Sequence, residues 1–177
     1  PIEKLGYLLQ SIPGARMFDE IIRLLMTGYG EKTYHILRQY KVFGQLFPQT
    51  ERSLIELEDP DDHLLIQALK STDSRINDDL GVNPYFLYAA LLWEPYLDEL
   101  NNYLADKIPP LEAANNAART VISRQQAHTQ IPKRYSIPME ETWAFQMRLE
   151  RKNTKTVGKL IAHPRFRAGL DFMLLRA

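Results

Sequence analysis

Apolar residues recur at helical spacing along most of the chain, and this pattern constrains the fold more than any other feature. The first example is a single apolar face made by Ile2, Leu5, Leu8, Leu9 and Ile12. No stretch of four or more residues alternates convincingly between apolar and polar positions, as a half-buried β-strand would. The sequence therefore predicts an all-α fold, an irregular array of about 8–10 helices with short Pro and Gly breaks.

Proline and glycine predict the limits of these helices, because proline lacks a backbone N–H and glycine tolerates a left-handed conformation. Breaks are predicted at Pro13-Gly14, Gly28, Glu94-Pro95 and Pro109-Pro110, and a helix start at Asn83-Pro84. A long helix is predicted over 111–130, then an extended link over 131–135 and helices that start at Pro138, Thr154 and Pro164. We accordingly divide the chain into residues 1–50, a helical body over 51–130 and a basic arm over 131–177.

The composition excludes several classes of protein. With no cysteine, the 177-residue chain can form neither a disulfide framework nor a zinc–thiolate site, which fits a reducing cytoplasm. Its longest apolar runs, such as residues 85–93, are about half of the roughly 20 residues that span a bilayer. The chain begins at Pro1 without a secretion leader, and we expect it to be a piece of a longer protein.

Charge is strongly segregated along the chain. Residues 119–177 carry 12 Lys and Arg against 4 Asp and Glu, whereas the preceding 118 residues carry 10 against 18. The net charge of zero therefore conceals a positive C-terminal segment. Segregated positive charge attracts polyanions, so the pattern predicts a nucleic-acid partner.

Motifs typical of catalytic or metal sites are weak. Asp59-Pro60-Asp61 has a carboxylate spacing that could bind magnesium, but its proline and acidic neighbours favour a solvated loop. The four histidines are scattered, and Gly28-Tyr29-Gly30 lacks the remainder of a phosphate loop, which favours a helix-ending turn. We predict no catalytic site and no metal site in this chain.

Candidate phosphate contacts concentrate in the basic segment. Arg148, Arg151, Lys155 and Lys159 are 3, 4 and 4 residues apart, which places them on one face of a continuous helix. Asn153-Thr154 could instead cap a new helix and split this stripe. The full set of predicted binding residues is Arg119, Arg124, Lys133, Arg134, Tyr135, Arg148, Arg151, Lys152, Lys155, Lys159, Arg165 and Arg167.

Two aromatic rings lie among these cations. Tyr135 follows two cations in the predicted link, where stacking on an unpaired base and packing into the protein both stay open. Phe166 is followed by Leu170 and Met173 at helical spacing, which favours a core position.

Several segments resemble bacterial poly(A) polymerases. The closing stretch from His163 to Arg176 and the run Ile131-Pro132-Lys133-Arg134-Tyr135 resemble signatures of that family. Residues 12–20 and 37–43, followed by Leu46-Phe47-Pro48, resemble its neck and early body. The similarities keep the family's order along nearly the whole chain, and the C-terminal one distinguishes it from the related tRNA CCA-adding enzymes.

The resemblance implies a bacterial cytoplasmic enzyme that adds AMP from ATP to RNA 3′ ends and so promotes RNA decay. The ATP and magnesium sites of that family belong to a catalytic head that would precede Pro1. This chain is then expected to be a noncatalytic RNA-binding and scaffolding part that needs no cofactor. Arg16 and Glu20 match the Arg-x-x-x-Glu of the neck helix, for which we predict a scaffolding role and an i, i+4 ion pair.

Two other interpretations stay open. Residues 1–50 form apolar-faced helices of net charge near zero, and by the same resemblance they could dock an RNA helicase or a decay complex. Alternatively, the positive and negative parts could pair inside the fold. That interpretation predicts few basic side chains facing solvent, and surface ion pairs contribute little stability singly.

Overall fold

The computed structural model describes residues 6–57, 63–150 and 157–176. These residues form one 3-10 helix and eleven α-helices and contain no β-strand, which confirms the predicted all-α class. The 3-10 helix is Gly6–Ser11, and the α-helices are α1 Gly14–Leu25, α2 Gly30–Gln39, α3 Phe43–Leu46, α4 Pro48–Ile55, α5 Leu64–Asn77, α6 Pro84–Leu91, α7 Trp93–Ala105, α8 Pro110–Gln125, α9 Lys133–Glu150, α10 Val157–Ile161 and α11 Phe166–Arg176. None of the described helices is long and apolar enough to cross a membrane.

Proline and its neighbours set several helix starts as predicted. Helix α1 follows Pro13, and α8 has Pro110 in its first turn, where a missing N–H costs nothing. Helix α6 begins at Pro84, and the side chain of Asn83 caps it by accepting a hydrogen bond from the Tyr85 backbone N–H at 3.3 Å.

The predicted extended link over 131–135 is wrong, because Lys133–Tyr135 form the first turn of α9. The carbonyl of Pro132 accepts hydrogen bonds from the backbone N–H groups of Tyr135 at 2.8 Å and Ser136 at 3.1 Å, which starts the helix. Pro138 therefore lies inside α9 instead of opening it. Its ring is buried, so packing stabilises the helix at a position where proline removes one hydrogen bond.

Three other predicted limits move by a few residues. Helix α8 ends at Gln125 instead of Gln130. The side-chain amide of Gln126 donates to the carbonyl of Ile131 and accepts from its backbone N–H, which stabilises a turn after the helix. The break near Pro95 falls at Leu92, since Pro95 fits the first turn of α7. Helix α11 starts at Phe166, two residues after Pro164. The predicted start at Thr154 and the motif 59–61 lie outside the described residues.

A buried set of aromatic side chains joins α9 to α6 and α7. Trp143 is fully buried and stacks on Tyr96, with ring centroids 4.7 Å apart and planes at 17°. Its indole Nε1–H donates a hydrogen bond to the carbonyl of Ala89 at 3.1 Å. The core cluster that contains it runs from Met17 to Phe172, so all three predicted segments contribute to one core.

The Gly28-Tyr29-Gly30 segment is a helix-ending turn, as predicted. Gly28 has φ +86°, the left-handed conformation expected just past the end of a helix. The carboxylate of Asp73 on α5 accepts hydrogen bonds from the backbone N–H groups of Gly30 at 2.7 Å and Glu31 at 3.0 Å. A protein carboxylate therefore occupies the N-terminus of α2, where a phosphate-loop motif would hold its ligand.

Helix α11 packs closely on α9 at Gly169. A Cβ atom added there would lie 2.5 Å from Cδ1 of Phe145, a side chain that is itself 1% exposed. The side chain of Gln146 donates to the carbonyl of Gly169 at 3.0 Å and fixes the register of the two helices.

Replacing Gly169 by Ala should therefore destabilise the protein by about 1–3 kcal/mol, because the added methyl group cannot be accommodated without moving a buried ring. Gly158→Ala is the matched control, since a Cβ atom at Gly158 meets no atom within 4 Å. That control should be neutral or slightly stabilising through helix propensity. Urea denaturation of both variants measures the difference, and equal stabilities would contradict the packing described.

Candidate nucleic-acid interface

Five of the predicted binding cations are exposed and make no ion pair with any described carboxylate. They are Arg119 on α8, Lys133, Arg134 and Arg148 on α9, and Lys159 on α10. A cation without a carboxylate partner keeps its full charge available to a phosphate. We call these five side chains the free cation set.

The outer face of α9 carries two members of the set. Arg134, Ile137, Glu141 and Arg148 are all exposed and follow one another at spacings of 3, 4 and 7 residues, which puts them on one side of the helix. Glu141 is the carboxylate of this face, and Arg165, the residue directly before α11, is bound to it with Nε 2.7 Å from Oε2. The face is therefore positive at both ends and neutralised in the middle.

Tyr135 packs into the protein in this structure. Its ring stacks on Phe18 of α1, with centroids 5.4 Å apart and planes at 25°. The guanidinium carbon of Arg134 lies 5.0 Å from the centroid of the same ring. Stacking of an RNA base on Tyr135 would have to compete with Phe18 or Arg134, so base stacking there stays a prediction.

The other described arginines of the predicted set are paired. Arg124 forms an ion pair with Glu99 of α7, and Arg167 binds Asp171 one turn further along α11, at 3.1 Å. The bond of Arg165 to Glu141 raises the pKa of Arg165 above its ordinary value, and its guanidinium also lies 5.3 Å from the ring centroid of Tyr85. The ring of Phe166 is half-buried and meets Phe145 edge to face, but it is not part of the core cluster, so the predicted core position is not confirmed.

The central part of the predicted basic stripe lies outside the described residues. Arg151, Lys152 and Lys155 belong to this part, as does the proposed cap at Asn153-Thr154. Arg148 and Lys159, at the two ends of the stripe, are both exposed. Whether one continuous helix carries all four cations stays a prediction.

The neck residues do not form the predicted ion pair with each other. Within the described chain, Glu20 pairs with Arg23 at 3.5 Å, while Arg16 is exposed in the first turn of α1. Arg23 is an i, i+3 neighbour of Glu20 and competes with Arg16 for the same carboxylate. The scaffolding role of Arg16 and Glu20 stays a prediction.

Within the described residues, the structure contradicts the interpretation in which the positive and negative parts neutralise each other. Among the described ion pairs of residues 119–176, the pair between Arg124 and Glu99 joins the two parts, and the other three lie within the basic part. Most described cations of the basic part are exposed. The charge segregation seen in the sequence is therefore retained at the surface.

Arg176 is the described basic residue of this part that we did not predict as a binding residue, and it is structural. Its guanidinium lies 4.4 Å from the ring centroid of Trp93 and binds Gln146 at 3.0 Å and Glu150 at 2.9 Å. It fastens the end of α11 to α9.

No member of the free cation set lines either of two surface depressions. A groove of about 640 Å³ between α4, α7 and α8 contains Arg52 and Arg124. A cleft of about 620 Å³ between α5, the 78–83 loop and α11 contains Arg75 and Arg167. Sequence reasoning missed Arg52 and Arg75, because both lie in the acidic part of the chain where charge counting gave no signal.

No group of three or more His, Asp or Glu side chains suited to a metal ion occurs in the part of the chain that the structure describes. Fold and surface together define an all-α protein with one core and a solvent-facing basic surface in its C-terminal third.

Comparison with known families identifies the chain further. Residues 1–54 match the family model described as the probable RNA and SrmB-binding site of polymerase A, and residues 106–177 match the one described as the arginine-rich C-terminus of polymerase A. The chain belongs to the bacterial poly(A) polymerase family.

Curated relatives match along the whole chain. It is 38% identical to poly(A) polymerase I of Escherichia coli O157:H7, 37% identical to that of Salmonella typhimurium and 36% identical to that of Haemophilus influenzae. All of this chain is covered in each comparison, but it spans only 38% to 40% of the length of these relatives.

Glu140 on α9 is a half-buried carboxyl whose ionisation is expected to lower the stability of the protein. Burial raises its pKa, opposed by Arg119 and assisted by Glu141. A carboxyl whose pKa is raised by folding contributes stability below its unfolded pKa of about 4.3 and loses it as the pH rises through the folded value. Glu140→Gln should therefore be more stable than the parent at pH 7, and the difference should vanish near pH 4.

Urea denaturation at the two pH values measures this effect. Glu112→Gln on α8 is the matched control, because Glu112 is exposed and makes no ion pair with a described residue. The control should not gain stability at pH 7, because Glu112 lies in the first turn of α8, where its charge favours the helix dipole. An equal gain from both substitutions would mean that net charge, and not the burial of Glu140, sets the effect.

Proposed function

We propose that this chain is the RNA-binding and scaffolding part of a poly(A) polymerase. The observation that carries the proposal is the free cation set, five exposed basic side chains in a region that the family description calls arginine-rich. Single-stranded RNA has one phosphate per nucleotide, and each phosphate that is neutralised releases counterions, so such a surface binds without needing a sequence.

The parent enzyme would add AMP from ATP to RNA 3′ ends in the bacterial cytoplasm and promote RNA decay. In this proposal ATP and Mg²⁺ bind to the catalytic part of the parent, and no residue of this chain takes part in the chemistry. Its contribution is to hold the RNA so that the 3′ end stays close to the catalytic part. The full length of the curated relatives, of which this chain spans less than half, leaves room for such a part.

The elements of this chain would divide that work. Cations on α8, α9 and α10 contact phosphates, and the buried face of α9 keeps those cations fixed relative to the core. Helix α1 acts as scaffold through two contacts: Phe18 meets Tyr135 in the first turn of α9, and the carbonyl of Gly14 accepts the backbone N–H of Gln130, in the loop before α9, at 3.0 Å.

A second candidate function is a docking surface for a protein partner, either a helicase or a decay complex. Two observations favour it. The description of the family model over residues 1–54 names SrmB as well as RNA. The same region exposes apolar side chains on α1 and α2 and at the ends of α2, namely Leu24, Tyr29, Ile36 and Tyr40. Tyr29, Ile36 and Tyr40 follow one another at spacings of 7 and 4 residues, which are helical spacings, and contiguous exposed apolar surface marks interaction sites.

RNA binding by the free cation set predicts a change in salt dependence. Replacing Lys133, Arg134 and Arg148 by Ala should weaken binding of a single-stranded oligoadenylate and reduce the slope of log K against log[salt] by up to about 2, or 0.7 for each lost phosphate contact. Fluorescence anisotropy at several salt concentrations measures both quantities.

The matched control removes three cations from the other part of the chain, Arg23, Lys32 and Lys70, all of them exposed. This variant loses the same charge and should keep the slope of the parent. Equal losses in the two variants would show that binding follows net charge or extends to residues 1–54, whose family description also names RNA. No binding by the unsubstituted chain at low salt would refute the proposed function itself.

The docking function predicts that substitutions at the exposed apolar side chains reduce partner binding without reducing RNA binding. Replacing Tyr29 and Ile36 by Ser should lower capture of purified SrmB severalfold, since both side chains are exposed and would lie in the contact. The same variant should bind oligoadenylate like the parent. Capture that disappears after nuclease treatment of the unsubstituted chain would show that RNA bridges the two proteins.

A further inference from the structure

The cleft between α5 and α11 has the size and chemistry of a site for one nucleotide. Its volume is about 620 Å³, within the range of small-molecule sites. The last two turns of α5 form one wall, α11 the other, and the loop over 78–83 with the start of α6 forms the end. All of these elements lie within the described residues.

The walls of the cleft combine apolar and hydrogen-bonding groups. Val82 and Phe86 are half-buried and give an apolar surface on which the face of a base could lie. Ser71 and Asn83 offer a hydroxyl and an amide to the edge of the base. The side-chain oxygen of Asn83 already accepts the cap hydrogen bond from Tyr85, and its amide NH₂ is not used in that contact.

Arginines stand at the mouth of the cleft. Arg75 is held in place because its Nε and Nη2 donate to the carbonyl of Gly81, at 3.1 and 2.9 Å. Arg167 is bound to Asp171 through Nε, while 84% of its side chain remains exposed. Each guanidinium has further N–H donors that can reach a phosphate next to a bound base.

We infer that this cleft receives one unpaired nucleotide of a single-stranded RNA, with its base against Val82 and Phe86 and its phosphate at Arg75 and Arg167. The inference rests on the proposed RNA-binding function and adds to it a specific site. Because the walls can contact the face and edge of a base, this site would disfavour a base-paired strand, whose bases are not accessible.

A variant that fills the cleft tests the inference. Ser71→Trp should weaken binding of a single-stranded oligoadenylate about tenfold, the effect expected of losing one stacked base. Ser74→Trp is the matched control on the same helix, because Ser74 is exposed and does not line the cleft. An oligonucleotide with 2-aminopurine at one position reports stacking by its fluorescence, and that signal should change with the parent and not with Ser71→Trp.

A second pair of variants changes a position where an added side chain makes no steric clash. A Cβ atom at Gly81 meets no atom within 4 Å, so this position accepts a longer side chain. Gly81→Glu places a carboxylate at the mouth of the cleft and should weaken binding severalfold, whereas Gly81→Gln, of equal size and without charge, should not.

Four outcomes overturn the inference. If Ser71→Trp and Gly81→Glu bind RNA as well as their control variants do, the free cation set remains the RNA-binding surface and the cleft is not part of it. Duplex RNA that competes as well as the single strand would exclude a site for an unpaired base. If AMP displaces the oligoadenylate at equal molar concentration, the cleft is a site for a free nucleotide. If the unsubstituted chain does not bind RNA, both the proposed function and the RNA site in the cleft are refuted.

Discussion

The contact of Trp143 with α6 and α7 is the interaction on which the arrangement of the basic surface depends. The indole stacks on Tyr96 and donates its N–H to the carbonyl of Ala89, so one side chain is fixed both by packing and by a directed bond. Truncating a buried tryptophan typically costs about 3–5 kcal/mol, a large fraction of the stability of a domain of this size. Helix α9 is thereby held in one rotation, and its cations point to solvent on a side determined by the core.

The basic surface illustrates how short-range pairing and long-range charge differ. Arg165 and Arg176 bind carboxylates of α9 and tie the α11 segment to that helix, whereas Arg167 binds Asp171 within α11 and stays exposed. No member of the free cation set forms an ion pair with a described carboxylate, although Arg119 acts on Glu140 at longer range. Salt screens the charge of such exposed side chains over about 8 Å at physiological ionic strength. The net charge of the segment alone does not separate these two kinds of arginine.

Much of the fold could be predicted because it is locally determined. The turn at Gly28 and the start of α6 at Asn83-Pro84 follow from the conformations that these residues allow. The start of α9 does not follow from local conformation, because either Pro132 or Pro138 could begin a helix. The burial of Pro138 inside α9 decides between them. The position of Tyr135 could not be predicted for the same kind of reason, since its neighbour Phe18 is remote in the sequence. Partners such as Glu141 for Arg165 likewise depend on the packing of separate helices.

The contact between the start of α1 and the start of α9 has a consequence for dissecting this protein. The two matched family regions, residues 1–54 and 106–177, are separate in sequence, yet Phe18 and Gly14 from the first touch Tyr135 and Gln130 from the second. A boundary drawn from sequence families is therefore not a folding boundary here. An expression fragment limited to either region would expose one half of a shared core to water, and the loss of RNA or partner binding by such a fragment would report unfolding and not the location of a binding site.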